Sequence, residues 1–317
     1  MNASLSLDLD NLWSYLKVHG DPGWDAFPSY LDRVVPIALE TLANLGLRVT
    51  FFVVGQDAAL PVNRGALAML GESAHEVGNH SFSHEPWLHR MFPGQVEDEV
   101  CRAEAAIQAA TGRRTEGFRG PGFSVSATLL DVLARRGYMF DASTLPTFIG
   151  PLARAYYFLH ARLGRSEREE REALFGSWRD GLRPVGAYRW DLAAGELLEV
   201  PVTTFPGLRM PIHLSYVLYA STFSPVAARA YFRTALAACR VAGVEPSILL
   251  HPLDFLGAGD APGLSFFPGM DLPGEVKRAR VSACLRDLAG MFDVVPMGEH
   301  ARKLAARTDL RRLRFEG

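Results

Sequence analysis

Two histidines, His80 and His84, stand four residues apart in the run HSFSH. If that run makes a helical turn, both imidazoles lie on one face and can share a metal ion. A second cluster is the N-terminal run SLSLDLDN over 4–11, where Leu5, Leu7 and Leu9 alternate with Ser6, Asp8 and Asp10. A period of two puts the leucines on one face of a strand and both aspartates on the other. Carboxylates are rarely buried unless they are paired or bind a metal, so two of them on so apolar a strand point to a ligand. Asp10 is the expected partner of the histidines. Two histidines and one carboxylate leave coordination positions for water and substrate, the pattern of a catalytic metal. The donor set suits zinc best, with cobalt, nickel and iron as compatible divalent alternatives. Asp8 is left over, one step back on the same face. The competing reading is an edge strand facing solvent, with two histidines satisfied as ordinary polar side chains.

The elements that must carry these residues alternate between strand and helix. A loop rich in aromatics over 11–32 (Trp13, Tyr15, Trp24) follows the first strand, and Pro36 suits the first turn of a helix. Strands are predicted at 49–54, 75–78, 116–118, 138–140, 197–202, 247–250 and 292–295. Helices are predicted at 63–70, 93–110 (with Glu97, Glu99 and Glu104 outward), 126–136, 225–242 and 274–290. The alternation argues an α/β fold with a mostly parallel sheet, a distorted (β/α)7-type barrel. It forms one catalytic domain over 1–300, with a mostly helical insertion at about 144–190 and a basic tail over 301–317. In such barrels the chemistry sits at the C-terminal ends of the strands. Asp8, Asp10, His80, His84, Arg119, Asp141 and His251 all fall at those ends.

The motifs SLDLDN, HSFSH, FRGPGF and ILLHP occur in that order, and the chain resembles the polysaccharide deacetylase family, carbohydrate esterase family four. The resemblance covers about 4–141 and 197–300. It implies that Asp8 is the general base toward the attacking water and that Asp10, His80 and His84 hold the metal. It implies that Arg119 pairs with Asp8 and orients it, and that His251 is the general acid that protonates the leaving amine. The metal and a backbone N–H near Gly122 would stabilise the oxyanion. The leucine between the two aspartates is similar to a subgroup with separated aspartates, which includes wall-acting and intracellular deacetylases and lipid-linked sugar deformylases. The family's aspartate–tryptophan motif is not recognisable, and Asp141 or Glu199 is expected to orient His251 instead. Trp13, Trp24 and Trp87 flank the site, to stack on a sugar ring or simply to pack.

The implied reaction is removal of an N-acetyl or N-formyl group from an amino sugar, in a precursor or lipid-linked glycan. The alternatives are hydrolysis of a small or cyclic amide on the same fold, and an inactive sugar-binding protein. Net charge of −2 over 317 residues gives no support for nucleic-acid binding. Cys101, Cys239 and Cys284 are isolated, as in a reducing compartment. A strand starting at about Ser4 leaves no room for a signal peptide, so the expectation is a cytoplasmic protein. Aromatic and basic stretches at 145–163 and 210–228 and the tail (Arg302, Lys303, Arg307, Arg311, Arg312, Arg314) are compatible with peripheral contact with the inner membrane face. A packed helical cap is the alternative. The sequence carries no signal of oligomeric state.

Overall fold

The computed structural model describes residues 1–149 and 178–315. The strands are β1 (Asn2–Asp8), β2 (Thr50–Val53), β3 (Glu76–Asn79), β4 (Gly117–Phe118), β5 (Phe140–Asp141), β6 (Tyr188–Leu192), β7 (Gly195–Glu199), β8 (Ser247–Leu250), β9 (Asp293–Val295) and β10 (Arg312–Leu313). The described helices are α1 (Leu12–His19), α2 (Leu31–Ala43), α3 (Gly55–Ala59), α4 (Arg64–Glu72), α5 (Pro93–Thr111), α6 (Ala127–Arg135), α7 (Leu214–Phe223), α8 (Pro225–Val241), α9 (Gly274–Met291) and α10 (Met297–Ala305). The sheet order is β10-β6-β7-β5-β4-β3-β2-β1-β8, with β9 on the start of β1. Among the named strands of the described residues, only the β6–β7 hairpin is antiparallel. Beyond β7 the chain reaches the start of β8, where Thr203 N–H donates to Ser247 O at 2.9 Å. That contact closes a distorted ring of seven parallel strands, β1, β2, β3, β4, β5, β7 and β8.

Both faces of β1 are buried, each against a different environment. Leu5, Leu7 and Leu9 pack outward into the large core shared with the surrounding helices. Ser6 and Asp8 take the other face and meet Arg119 in the barrel interior. Phe52, Phe140, Leu198 and Met297 form the inner apolar cluster, and each such side chain removed from water contributes about 1.5–3 kcal/mol. Helix α10 plugs the end of the barrel away from the site. Met297 N–H donates to Thr50 Oγ at 2.8 Å and Gly298 N–H to a Glu76 carboxylate oxygen at 2.7 Å.

Several expectations are corrected. The stretch 11–32 contains α1, because Asn11 Oδ1 accepts the Leu12 N–H and Gly20, at φ 90°, ends the helix. Helix α2 begins at Leu31, so Pro36 sits inside it rather than opening it. Within the expected insertion, residues from Tyr188 onward form β6 and pair with β7; its expected helical part falls on 150–177, outside the described residues. After α10 the tail adds β10 to the β6 edge, and Phe315 packs 5.4 Å from the Trp190 ring. Its cations are largely paired with acids: Arg302 with Glu76 and Glu116, Lys303 with Glu299, Arg307 with Asp309, Arg312 with Glu196, Arg314 with Asp191. Phe223 and Val226 are exposed at the α7–α8 corner. Among the described residues, no helix is long and apolar enough to cross a membrane.

Candidate active site

Asp8 ends β1 and Asp10 follows it. His80 follows β3, whose last residue, Asn79, pairs with Phe118 of β4, and Arg119 comes next. Parallel register therefore delivers these side chains to one rim. Asp10 Oδ1 lies 3.2 Å from His80 Nε2 and 3.0 Å from His84 Nε2. Among the described residues these three form a group whose ligand atoms all lie within 4.8 Å of one another. His80 Nδ1 faces the Arg119 carbonyl oxygen at 2.7 Å, which places the ring proton on Nδ1 and leaves the Nε2 lone pair inward. Two imidazole nitrogens and one carboxylate oxygen turned to a common point fit a divalent cation. Burial disfavours the Asp10 carboxylate, yet His84 and His80 outweigh it and hold the group well below the usual carboxylate range. Burial also opposes charging His80, but Asp8, Asp10 and the Arg119 carbonyl raise it.

The HSFSH run is not the expected helical turn. Ser81 and His84 adopt positive φ, 59° and 48°, and these two left-handed residues fold the loop so that both rings face Asp10. Glu99 of α5 holds that loop: its carboxylate accepts the N–H of Phe82 and Ser83 at 3.0 and 2.8 Å and the Ser83 hydroxyl at 2.7 Å. Glu99 is buried, not outward as expected. Its position between Val96 and Ala103 on the apolar stripe of α5 is a signal that sequence reasoning passed over.

Arg119 is fully buried. Its Nη1 donates to Asp8 Oδ1 at 2.7 Å and Ser6 Oγ at 2.8 Å, its Nε to Ala142 O at 3.0 Å, and the guanidinium lies 4.5 Å from the Phe52 ring centre. His251 follows β8, one step beyond the Leu7–Leu250 pair, and so stands beside Asp8 in register. Gly122, at φ 58°, sits on an exposed turn against Pro86.

Residues 21–140 match the polysaccharide deacetylase family model. Over that stretch the chain is similar to the polysaccharide deacetylases. It is 27% identical over 108 residues to a peptidoglycan deacetylase-like protein of Gibberella zeae, covering 33% of this chain and 31% of that protein. It is 26% identical over 111 residues to a peptidoglycan deacetylase of Helicobacter pylori, covering 35% of this chain and 37% of that protein. The chain thus aligns with about a third of the length of these curated relatives. A solved structure from Mycobacterium smegmatis, assigned to the polysaccharide deacetylases, superposes with a TM-score of 0.64 at 17% identity over 100% of this chain and 96% of that one, a match of fold.

Two expectations for this site are corrected. Trp13 is 1% exposed and donates from Nε1 to Asp57 Oδ1 at 2.9 Å, with its edge toward the His84 ring; it backs His84 and has no free face for a sugar. Trp24 is half-buried, with Lys17 Nζ 5.3 Å from its ring centre, and Trp87 is half-buried in the loop after HSFSH. Neither Asp141 nor Glu199 hydrogen-bonds His251 among the described residues. Their side chains serve the β5–β7 side of the barrel: Asp141 accepts from the Ser143 hydroxyl at 2.6 Å, and Glu199 from Thr144 Oγ1 and Trp190 Nε1. Burial, then the Glu199 carboxyl beside it, pushes Asp141 well up. Ser143 Oγ in turn accepts the Gly120 N–H at 2.7 Å, so Asp141 supports the Gly120–Gly122 turn.

Three further groups were missed. Asp57, fully buried behind the site, gathers Asn11, Trp13 and Asn63, and burial pushes its carboxyl up to about 7. The Tyr15 hydroxyl is buried without a protein partner among the described residues, in the field of Asp10, Asp254 and Asp8. Ser215 Oγ lies 2.9 Å from His251 Nδ1. No local sequence signal finds Ser215, because the contact joins residues 36 apart across two elements.

Proposed function

We propose that the chain is a metal-dependent hydrolase that removes an N-acetyl or N-formyl group from an amino sugar. The observation that supports this reading is the convergence of Asp10 Oδ1, His80 Nε2 and His84 Nε2 beside a second carboxylate, Asp8, held by Arg119. Asp10, His80 and His84 would hold a divalent cation, zinc by donor set, which when bound supplies Lewis-acid activation of water and of the amide carbonyl. Asp8 accepts the proton of the attacking water; the Arg119 bond to Oδ1 leaves Oδ2 free for it. His251 gives a proton to the departing nitrogen as the C–N bond breaks, releasing carboxylate and free amine. The Gly122 turn offers backbone N–H to the developing oxyanion. Tyr15, with its unmatched hydroxyl, and half-buried Trp24 are the side chains available to a sugar. The substrate class is a precursor or lipid-linked glycan.

The test is the metal content of the purified protein together with acetate and formate release from N-acylated amino sugars, free, oligomeric and lipid-linked, and from a cyclic amide. Metal-dependent release from a sugar, abolished by chelator, is the expected result. Turnover of the cyclic amide alone replaces the substrate class. A metal-free protein inactive on every substrate overturns the reading.

A further inference from the structure

The His251 ring rests on Ser215, the second residue of α7, and behind the serine stands Asp254. Asp254 Oδ2 accepts the His251 backbone N–H at 2.8 Å, and the carboxyl also meets the Ser215 hydroxyl. Asp254 is 1% exposed. Burial pushes its carboxyl up, while His251, the His251 N–H, the Ser215 hydroxyl and Lys277 pull it down. Buried Lys277 reaches in from α9, and its Nζ donates to Leu253 O at 2.9 Å, which pins the turn that carries Asp254. Neither Ser215 nor Asp254 falls within SLDLDN, HSFSH, FRGPGF or ILLHP.

Building on the hydrolase reading, we infer that Ser215 and Asp254 are positioning residues for His251. The Asp254 carboxylate accepts the Ser215 O–H, Ser215 Oγ accepts His251 Nδ1–H, and Nε2 is left to carry and release the catalytic proton. A hydroxyl suits the middle place because it donates and accepts at once. In the acid step the Nε2–H bond breaks and a new N–H bond forms on the departing amine, while the Nδ1 proton stays where it is. The starting imidazolium gains from a carboxylate relayed through one hydroxyl. The groups that face His251 are Asp8 of β1 by register, Asp254 of its own turn with Lys277 behind it, and the His213 ring, 6.1 Å away in the approach to α7. Burial, then His251, pushes His213 down to about 3, so it stands neutral and adds no charge near neutral pH.

The test compares wild type with Ser215→Ala, Ser215→Thr and Asp254→Asn, by ¹⁵N NMR of the His251 ring and by the pH dependence of kcat/KM on an N-acylated amino sugar. In wild type the neutral ring carries its proton on Nδ1. Ser215→Ala loses that tautomer preference and lowers the ring's titration point by about half a pH unit or more. The alkaline limb of kcat/KM moves down with it, and kcat falls roughly tenfold to hundredfold while KM and bound metal stay within about twofold. Ser215→Thr restores both the tautomer and the rate. Asp254 also accepts a backbone N–H, so Asp254→Asn can disturb the turn; Ser215→Ala removes one hydroxyl and decides the matter without it. The NMR arm needs no turnover, so a wild type inactive on every amino sugar overturns the hydrolase reading while the ring still reports on the relay. A His251 ring with the same tautomer and titration in Ser215→Ala as in wild type overturns the relay.

Discussion

Asp8 and Asp10 are two residues apart on one strand face, yet their surroundings differ. Asp10 faces two imidazole nitrogens and Asp8 a guanidinium. The proposed division of labour follows, and it separates two substitutions. Asp8→Asn is expected to lower kcat/KM by about 10²–10⁴ with metal content unchanged, whereas His84→Ala is expected to lose the metal itself, both read by elemental analysis beside the rate assay. Asp8→Asn protein with near-wild-type turnover would remove Asp8 as the base. A third residue predicts a pH effect on stability. His75 Nδ1 accepts the Val49 N–H at 3.1 Å, and burial, then Arg48 and Arg113, pushes the ring from 6.5 down to about 4. Above pH 6.5 both folded and unfolded states are neutral at His75, and its full contribution is present. Between 6.5 and 4 only the unfolded chain takes up the proton, so stability falls as pH falls, by up to about 1.4 kcal/mol per unit. Urea titrations of wild type and His75→Gln check this: the variant should show a shallower loss over that window.

At the scale of elements, the proposed metal ligands depend on a helix that contributes none of them. Helix α5 places Glu99 under the HSFSH loop, where it accepts three hydrogen bonds and offsets the cost of two left-handed residues. Glu99→Ala should therefore weaken metal affinity roughly 10–100-fold without touching a ligand. Chelator competition measures it, and an unchanged affinity would mean that the loop holds itself. Helix α6 offers a simpler check on local structure: Ser126 Oγ accepts the Leu129 N–H at its N-terminus, and Ser126→Ala should cost about 1 kcal/mol in chemical denaturation.

At the scale of the molecule, the ring of strands is plugged by α10 from the opposite end of the chain. Met297 is fully buried in the inner apolar cluster and meets Arg119 Nη2 through its sulfur at 3.4 Å. The plug thus supports the guanidinium that holds Asp8. Met297→Ala should destabilise the fold by about 2–5 kcal/mol, seen as a lower urea midpoint with an unchanged slope.

The α/β class, the parallel alternation and the placing of Asp8, Asp10, His80, His84, Arg119 and His251 at strand ends were legible in the sequence. Each rests on a short-range pattern: the period of two in SLSLDLDN, the apolar run VTFFVV, the helix stripes and their caps. The geometry of HSFSH was not legible, because its two left-handed residues are stabilised by Glu99, a partner 16–17 residues away on another element. The burial of Trp13, the support of the Gly120 turn by Asp141 and the contact of Ser215 with His251 likewise depend on side chains that meet only when the ring closes. Local periodicity decides which residues arrive at the rim. Which partner each one finds there depends on tertiary packing, because a buried polar group takes its hydrogen bonds from whatever the fold brings within reach.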